Sequence, residues 1–328
     1  MNDPSRGWRL KALTDLWTGD ANRDGGRTTP TGLLGSLRWW FEVLVRGLGG
    51  TACDPSPQGN PCPDREGRRC IVCELFGCTG WGRKFRFDVR DGSGTIMKDQ
   101  IKRNAEFVLR FTPLRPIGPA EWTLLDLTLR LIADYGAIGG KTVLKPSDEV
   151  NRSGLPHHRD YGIVKVEQRP NIQPQSQADL EGYVRNGRWR KPLQKDFAWA
   201  SLTNFWCVEG KYLARQSANQ STFNKVLGRK EDKAVKGKKG KRVVRWSDLL
   251  VASQDPVSQW LAGRQQESKK VFSFKDPPRT CGFVTPELVG PDEIKSRLRT
   301  AWPGLHDNEF VTGDAILARL TTHGGATP

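Results

Sequence analysis

The chain has 328 residues, and its 52 Lys and Arg against 36 Asp and Glu give a formal net charge of +16 and a pI of about 9.7. No apolar run approaches the roughly 20 residues of a membrane span, and 12 Trp with 13 Phe can form a sizeable core, so we expect neither a membrane protein nor a disordered chain. The length suggests about two domains, and the positive charge indicates a polyanionic partner, most commonly nucleic acid. The N-terminus lacks the apolar segment of a secretory signal, so we expect a cytoplasmic protein.

In the first half of the chain, alternating apolar residues predict strands, and apolar residues three or four positions apart predict helices. The predicted elements are, in chain order, a strand over 8–13, a Gly-rich loop over 18–27, a helix over 30–48, strands over 84–90 and 107–112, a helix over 120–135 and a strand over 161–166. The order β-α-β-β-α-β predicts a ferredoxin-like (RRM-like) α+β fold with both helices on one face of a four-stranded sheet. The other face is then free, and by analogy with RRM domains that face or its loops would contact RNA.

The patterns weaken after residue 170. Residues 168–195 are rich in Gln, Asn, Pro and Arg and predict a linker, while 228–245 contain nine Lys or Arg and two acids and predict a flexible basic loop. Further elements are expected as helices over 197–213, 246–261, 292–302 and 314–320 and a short strand over 271–274. We therefore expect a first domain over 1–167 and a second, α-rich domain over 196–328.

Five of the seven Cys residues lie in a Cys-, Pro- and Gly-rich insert over 51–80. Cys70 and Cys73 form a C-x-x-C turn that can direct two thiolates at one ion, and Cys53 and Cys62 can complete a tetrahedral zinc site. Cys78 is an alternative fourth ligand. Reduced thiols without a metal are another interpretation, and a redox C-x-x-C is least favoured because no thioredoxin-like βαβ context precedes it. Four thiolates leave no position for a reactive water, so the predicted zinc ion is structural.

Two further groups of residues are typical of contacts with a phosphate backbone. The first is the glycine loop after the second predicted helix, with Gly139, Gly140 and Lys141, although glycines also suit a helix end for steric reasons. In the second group, basic and aromatic residues lie close together in the sequence; its members are Arg27, Arg38, Trp81, Arg83, Lys84 and Arg86. Trp81 lies between glycines and is the better candidate for stacking on a base.

Acid–base chemistry has only scattered candidates. Asp15, Asp20 and Asp24 surround the first loop, and His157 and His158 lie in another. No spacing pairs these side chains, and acids in loops are usually solvated, so the residues alone do not predict an enzyme.

Three segments together resemble the RAMP superfamily, the Cas7-like subunits of type III CRISPR effector complexes. Residues 29–40 (TPTGLLGSLRWW) resemble the S-x-x-G-x-L-R helix start of that family, residues 70–78 (CIVCELFGC) its C-x-x-C-x-L-F-G-S segment, and residues 136–142 (GAIGGKT) its glycine-rich loop. The resemblance covers about 8–166 in the family's order. An Arg followed by two aromatic residues is most similar to the end-capping first subunit of Cmr-type (type III-B) complexes.

The resemblance implies an RNA-binding structural subunit in an RNA-guided antiviral complex. Its partners would be the CRISPR guide RNA, the target RNA and other type III effector subunits, and it would contact RNA by backbone and shape. Carried over to this chain, the backbone-contacting positions are Ser36, Arg38, Gly139, Gly140 and Lys141. A second ferredoxin-like domain is also expected from the family.

One motif departs from the family's pattern, and one loop leaves an alternative function open. The glycine loop of the family continues with several Arg, whereas here Lys145 is the one basic residue that follows, and we retain it as an RNA-binding candidate. Asp20 or Asp24 occupies the loop in which target-cutting RAMP proteins carry an Asp, so a target-RNA endoribonuclease is the alternative function. A free-standing zinc-containing DNA-binding protein is disfavoured, because the insert has no recognisable recognition helix.

Overall fold

The structure is a computed structural model, and it describes residues 5–19, 25–53, 62–141, 146–152, 154–191, 197–217, 220–228, 255–263 and 267–322. The chain divides into two compact units. Unit 1 comprises Met1–Thr142, Tyr161–Asn204 and Thr312–Pro328, and unit 2 comprises Val143–Asp160 and Phe205–Val311. The helices described here are all too short or too polar to cross a lipid bilayer.

Unit 1 contains a four-stranded sheet with the spatial order β2-β3-β1-β4. Its strands are β1 (Arg6–Ala12), β2 (Phe85–Arg90), β3 (Glu106–Pro113) and β4 (Val164–Gln168). Its helices are α1 (Pro30–Gly47), α2 (Ile71–Phe76), α3 (Pro119–Tyr135) and α4 (Gln177–Val184). Neighbouring strands are antiparallel, and Trp8 of β1 pairs with Leu109 of β3. The predicted order β-α-β-β-α-β is confirmed, and the short helix α2 is an addition within the insert.

The core of unit 1 lies between this sheet and helices α1 and α3. Alternate residues of β1 are fully buried, and so are Leu33, Leu37 and Phe41 of α1, because their three- and four-residue spacing places them on one helix face. Phe76 joins this core to the insert, since its ring lies 5.1 Å from Phe41 and 5.6 Å from Phe85. Burying a side chain of this size contributes about 1.5–3 kcal/mol.

The opposite face of the unit 1 sheet is polar. Arg9 and Lys11 of β1 lie on it, in register with Val108 and Glu106 of β3. Arg9 pairs with Glu106 at 3.4 Å, and both Arg86 and Arg90 contact the carboxylate of Asp88. No aromatic side chain occupies an outward position of these four described strands. This face therefore offers charge and no ring on which a base can stack.

Unit 2 contains a second four-stranded sheet, with the order β6-β7-β5-β8. Its strands are β5 (Phe205–Glu209), β6 (Val271–Lys275), β7 (Pro278–Phe283) and β8 (Phe310–Thr312), and its helices are α5 (Thr222–Val226), α6 (Pro256–Ala262) and α7 (Pro291–Ala301). The last described helix, α8 (Gly313–Thr322), belongs to unit 1. With α5 and α7 in the helix positions, unit 2 repeats the strand order of unit 1.

The unit 2 sheet is apolar on both faces. Trp206 and Val208 of β5 belong to a buried cluster that also includes side chains of α5, α6 and α7. The alternate residues of β5, Phe205 and Cys207, are equally buried, and Phe205 packs its ring 5.1 Å from that of Phe283 on β7. Both faces of this sheet are thus used for packing.

Three predictions for the second half of the chain are wrong. Residues predicted as a helix over 197–213 instead form a 3₁₀ turn (Leu202–Asn204) and strand β5, because a continuous apolar run does not distinguish a doubly buried strand from a buried helix. The predicted linker contains α4, whose Leu180 and Val184 are buried. The second domain is not α-rich, since a four-stranded sheet forms its centre.

Other predictions for this half hold. The strand over 271–274 is β6, and the helices over 292–302 and 314–320 are α7 and α8, each within two residues of the predicted bounds. The helix predicted over 246–261 begins at Pro256 among the described residues. The basic loop lies outside them apart from Gly228.

Candidate functional site

Four cysteines of the insert converge in unit 1. The sulfur atoms of Cys53, Cys62, Cys70 and Cys73 all lie within 4.8 Å of one another, and all four residues are buried. Cys70 caps the N-terminus of α2, where its sulfur accepts a hydrogen bond from the backbone N–H of Cys73 at 3.5 Å. The N–H of Cys70 in turn donates to the sulfur of Cys62 at 3.2 Å. The C-x-x-C turn is therefore the first turn of α2, and it orients two thiols toward one point.

This donor set fits a soft metal ion in tetrahedral coordination. Metal–sulfur bonds of about 2.3 Å require sulfur atoms about 3.8 Å apart. The sulfurs of Cys53 and Cys73 are 3.3 Å apart, and the remaining separations stay below 4.8 Å. The cluster can hold a metal ion, and its four members are the residues predicted as ligands.

Cys78, the alternative ligand, lies beside this cluster. Its backbone pairs with that of Trp81, and its side chain is half-buried. It lines a cavity of about 430 Å³ together with three residues of the cluster, Cys53, Cys62 and Cys73. Burial raises the pKa of the Cys78 thiol. The group of sulfurs within 4.8 Å of one another does not include that of Cys78, so the geometry favours the four-residue set.

Two arginines contact the sulfur atoms. Arg38 of α1 donates from Nη2 to Cys73 at 3.2 Å and from Nη1 to the carbonyl of Gly77 at 2.9 Å. Arg190 is 5% exposed and donates from Nη1 to Cys62 at 3.3 Å. A divalent ion with four thiolates carries a net charge of about −2, which these two guanidinium groups offset.

The pKa shifts of the cluster thiols differ in direction, because hydrogen bonds with Cys53 and Cys62 raise the pKa of Cys70 and that of Cys73. Hydrogen bonds with Cys53, Cys70 and Cys73 lower the pKa of Cys62 far below that of a free thiol. For Arg38, burial lowers the pKa, but the neighbouring charge on Cys73 and that on Glu42 raise it overall. The thiolate is the metal-binding form of cysteine, and the guanidinium groups of Arg38 and Arg190 beside the sulfurs favour it.

The sequence analysis did not identify Arg190 as a neighbour of the cysteine cluster, and it assigned Arg38 to RNA contact. Arg190 is 128 positions from Cys62, in the segment predicted as a linker, and no local pattern connects the two. Arg38 was predicted to contact RNA, whereas its guanidinium is occupied by Glu42, Gly77 and Cys73. Its position makes it a supporting residue of the cysteine cluster.

The predicted glycine loop is assembled against α1 and the segment after β1. The N–H of Gly139 donates to Oγ of Ser36 at 3.0 Å, and the N–H of Gly140 donates to the carbonyl of Trp17 at 2.7 Å. Gly139 has φ +111°, and a Cβ there would lie 2.6 Å from the carbonyl oxygen of Trp17, so glycine is required. The Lys141 ammonium lies 3.3 Å from the centroid of the Trp17 indole. Two predicted backbone-contacting segments, α1 and the glycine loop, therefore meet here beside Trp17.

Trp17 is the member of this loop site that the sequence did not identify. It directly precedes the Gly-rich loop over 18–27, and no local pattern connects it to the glycine loop over 120 residues later. It is 8% exposed and packs edge-to-face on Tyr161 at 5.5 Å. Its ring supports Lys141, and its carbonyl fixes Gly140.

Lys84 and Trp81 of the basic and aromatic group are covered by other side chains. The Lys84 ammonium is 2.9 Å from Glu121 and 3.4 Å from Glu74, and its side chain is 14% exposed. The guanidinium carbons of Arg69 and Arg115 lie 3.5 and 4.1 Å from the centroid of the Trp81 ring. The Trp81 ring is thus already stacked on cations within unit 1.

Three arginines complete that group. Arg27 is exposed. Arg86 is exposed and paired with Asp88 at 3.2 Å, and Arg83 donates to the carbonyl of Phe85 at 3.0 Å. Arg27 and Arg86 therefore retain the greatest access to solvent in this group.

Four of the remaining candidates, Asp20, Asp24, Lys145 and the His157 side chain, lie outside the described residues. Asp15 accepts a hydrogen bond from the backbone N–H of Arg103 at 2.9 Å. The described residues thus contain no observation that favours RNA cleavage over RNA binding.

The fold and site define a class: an α+β protein of two units with the same strand order, the first of which carries a candidate metal centre of four cysteines. Residues 9–144 match the family model described as RAMP superfamily. The resemblance predicted from the three motifs is confirmed over these residues.

Several solved structures are similar to the chain over nearly its whole length. The apo form of Cmr1 from Pyrococcus furiosus has 11% identity and a TM-score of 0.43, over 94% of this chain and 98% of that chain. A chain of type III-B Cmr-beta bound to cognate target RNA and AMPPnP in the presence of ssDNA has 10% identity and a TM-score of 0.47, over 91% and 98%. A chain of Cmr-beta bound to cognate target RNA has 11% identity and a TM-score of 0.46, over 91% and 99%. No curated protein matches the sequence.

Proposed function

We propose that the chain is an RNA-binding, non-catalytic subunit of an RNA-guided type III CRISPR effector complex of the Cmr type, located in the cytoplasm. The observation that carries the proposal is the RAMP superfamily match over residues 9–144. Guide RNA, target RNA and other effector subunits are the partners it implies. The net charge of +16 supports a polyanionic ligand.

The topology supports a ferredoxin-like assignment for both units. In each, the third strand pairs with the first and the second, and the fourth pairs with the first, as the orders β2-β3-β1-β4 and β6-β7-β5-β8 require. Two such units in one chain also agree with the second ferredoxin-like domain that the resemblance implies.

The loop at Gly139–Lys141 is the proposed contact with the RNA backbone. Gly140 is exposed and presents backbone without a side chain, and Lys141 supplies a positive charge beside it. Ser36 fixes the loop by accepting from Gly139. The outward face of the unit 1 sheet lacks aromatic rings, so we expect contacts with phosphates and little dependence on base sequence.

The cysteine cluster is proposed to hold one structural zinc ion. Four thiols are the donor set that zinc selects in structural sites, and bound zinc would fix the insert to α1 and α2. Metal analysis of the purified protein should give about one zinc per chain. A folded, metal-free protein would contradict the assignment.

The RNA-binding proposal is tested by salt-dependent binding. We expect the full chain to bind a fluorescently labelled single-stranded RNA in an anisotropy titration, with affinity that falls steeply as salt rises, because phosphate neutralisation releases counterions. Lys141→Ala should weaken binding, whereas Lys225→Ala, an exposed lysine of unit 2, should not. Binding that is equally strong at low and physiological salt would contradict the proposal.

Assembly is tested separately by purifying the tagged protein from its native host. Guide RNA and other effector subunits should copurify and can be identified by sequencing and mass spectrometry. Recovery of the chain alone, without RNA or partner subunits, would contradict membership of an effector complex.

A further inference from the structure

A groove of about 780 Å³ lies on unit 1, between the segment that follows Cys62 and the segment that follows α4. Arg65, Trp189 and Lys191 are among its lining residues. We propose that this groove binds single-stranded RNA, with a base on the Trp189 ring and phosphates at Arg65 and Lys191. The inference rests on the proposed RNA-binding function and adds a site separate from the glycine loop.

The charge balance of the groove leaves two cations without an internal counterion. Arg68 is paired with Asp64 at 2.9 Å and with Glu66 at 2.5 Å, so both carboxylates are directed at Arg68 and the three side chains together carry a charge of about −1. Arg65 and Lys191 are exposed, and within the described parts of the chain neither makes a hydrogen bond or an ion pair. Their charges are therefore available to phosphate groups.

The Trp189 ring is held in place before any ligand binds. Its Nε1 donates to the carbonyl of Tyr183 at 2.7 Å, and its ring packs edge-to-face on that of Tyr183 at 5.5 Å. The side chain is half-buried, and the exposed Arg188 covers one face of the ring with its guanidinium carbon 4.2 Å from the indole centroid, so a base stacks by displacing this mobile side chain or on the rest of the ring. A fixed aromatic ring loses little conformational entropy on binding, which favours stacking of a base.

The two walls of the groove are connected through the cysteine cluster. The backbone N–H of Arg190 donates to the carbonyl of Arg69 at 3.0 Å, and its side chain donates to the sulfur of Cys62 at 3.3 Å. Cys62 and Cys70 lie at the two ends of the wall that contains Arg65. Order in the cluster therefore maintains the width of the groove.

The combination of groups favours RNA over an acidic peptide. An acidic peptide would be attracted by Arg65 and Lys191 but would not need the planar ring between two basic segments. Single-stranded nucleic acids use both, since every base has a face that can stack and every nucleotide carries a phosphate.

The test measures binding of a labelled oligouridine to the full chain by fluorescence anisotropy over a range of salt. Lys191→Glu should weaken binding roughly tenfold and reduce the slope of log affinity against log salt by about 0.7. Lys225→Glu is the matched control, since it makes the same change at an exposed lysine of unit 2. Arg65→Glu should act like Lys191→Glu.

A second pair of variants tests stacking. Trp189→Leu should weaken binding roughly fivefold or more, and Trp189→Phe should retain most of the affinity, because it keeps a ring at this position. Circular dichroism and zinc content are measured for each variant, so that a folding defect is recognised. If Trp189→Leu fails to fold, the lysine and arginine variants still decide the question.

Each outcome has a distinct meaning. If the wild type binds RNA and Lys191→Glu binds as tightly as Lys225→Glu, the groove assignment is overturned and the proposed function stands. If the wild type binds no RNA at any salt concentration, the proposed function is overturned and the groove assignment with it. If Lys191→Glu keeps its RNA affinity but loses a copurifying subunit, the groove binds a protein and the inference is overturned.

Discussion

Units 1 and 2 share one strand order but use their sheets differently. At the outward positions of its first strand, unit 1 has Arg9 and Lys11, whereas unit 2 has Phe205 and Cys207, which are buried. The same topology can therefore support a polar face or a second packed face. The difference places the candidate RNA contacts on unit 1 and assigns the unit 2 sheet to packing.

The two units also differ in the polar contacts that organise them. In unit 1 the insert is organised by four cysteines with Arg38 and Arg190 beside them. In unit 2 the carboxylate of Asp160 accepts from the backbone N–H groups of Lys275 and Asp276, at 2.7 and 2.9 Å. The first set of contacts can hold a metal ion, and the second depends on the protonation of Asp160.

The largest expected effect is loss of the metal from unit 1. Cys73→Ser should remove the zinc and shift unfolding to much lower urea concentration, because structural zinc contributes on the order of 10 kcal/mol to the folding of small zinc domains. Zinc stoichiometry and urea unfolding measure it. Cys281→Ser changes a buried cysteine of unit 2 and should keep the zinc. Equal zinc content in the two variants would contradict the assignment.

The contrast between the two sheet faces predicts unequal mutational costs. Phe205→Ala should destabilise the protein by about 3–5 kcal/mol, because it leaves a cavity beside Phe283. Arg9→Ala, on the corresponding face of unit 1, should cost less than about 0.5 kcal/mol, since its ion pair with Glu106 is exposed. Urea unfolding measures both values, and similar costs would show that the faces do not differ as described.

A substitution in the glycine loop should have a smaller, local effect. Gly139→Ala should cost about 1–3 kcal/mol and weaken RNA binding, because the residue has a positive φ and no room for a Cβ. Gly92→Ala is the control, since the space around its Cβ position is open. Thermal unfolding and RNA anisotropy measure the effect. A Gly139→Ala protein as stable as Gly92→Ala would refute the close approach to Trp17.

The last prediction is a pH dependence in unit 2. Burial raises the pKa of Asp160 from 3.8 to about 6, so the folded chain holds this proton more tightly than the unfolded chain does. The stability from this group is complete below about pH 4 and is lost as the pH rises through about 6. Asp160→Asn should flatten that part of the profile. Urea midpoints at pH 4 to 7 test this, and parallel profiles for the two proteins would contradict it.

The sequence was most informative where only one face of an element is buried. Alternation in β2 and the apolar spacing of α1 predicted both elements correctly, because each has a polar face as a contrast. Strand β5 is buried on both faces, so that contrast is absent and a helix was predicted instead. Helix α4 was missed because its segment is rich in polar residues and has two buried apolar side chains.

Prediction of the candidate sites from the sequence was limited in the same way, because it depends on local patterns. Spacing within one short segment identified Cys53, Cys62, Cys70 and Cys73, since ligands of one metal ion lie close together in such an insert. The roles of Arg38 and Trp81 were predicted from their neighbours in sequence, but their contacts are set by partners far along the chain. Whether a cation is free or already paired depends on those partners.

The sequence by itself determined the net charge, the order of elements in unit 1, the cysteine set and the RAMP resemblance. These properties are local, because they depend on composition and on residues a few positions apart. Only the tertiary structure decided that unit 2 repeats the strand order, that Arg190 contacts Cys62, and that Trp189 and Lys191 line a groove with Arg65. Those relations join distant segments, and packing and hydrogen bonding in the folded chain select them without leaving a local pattern.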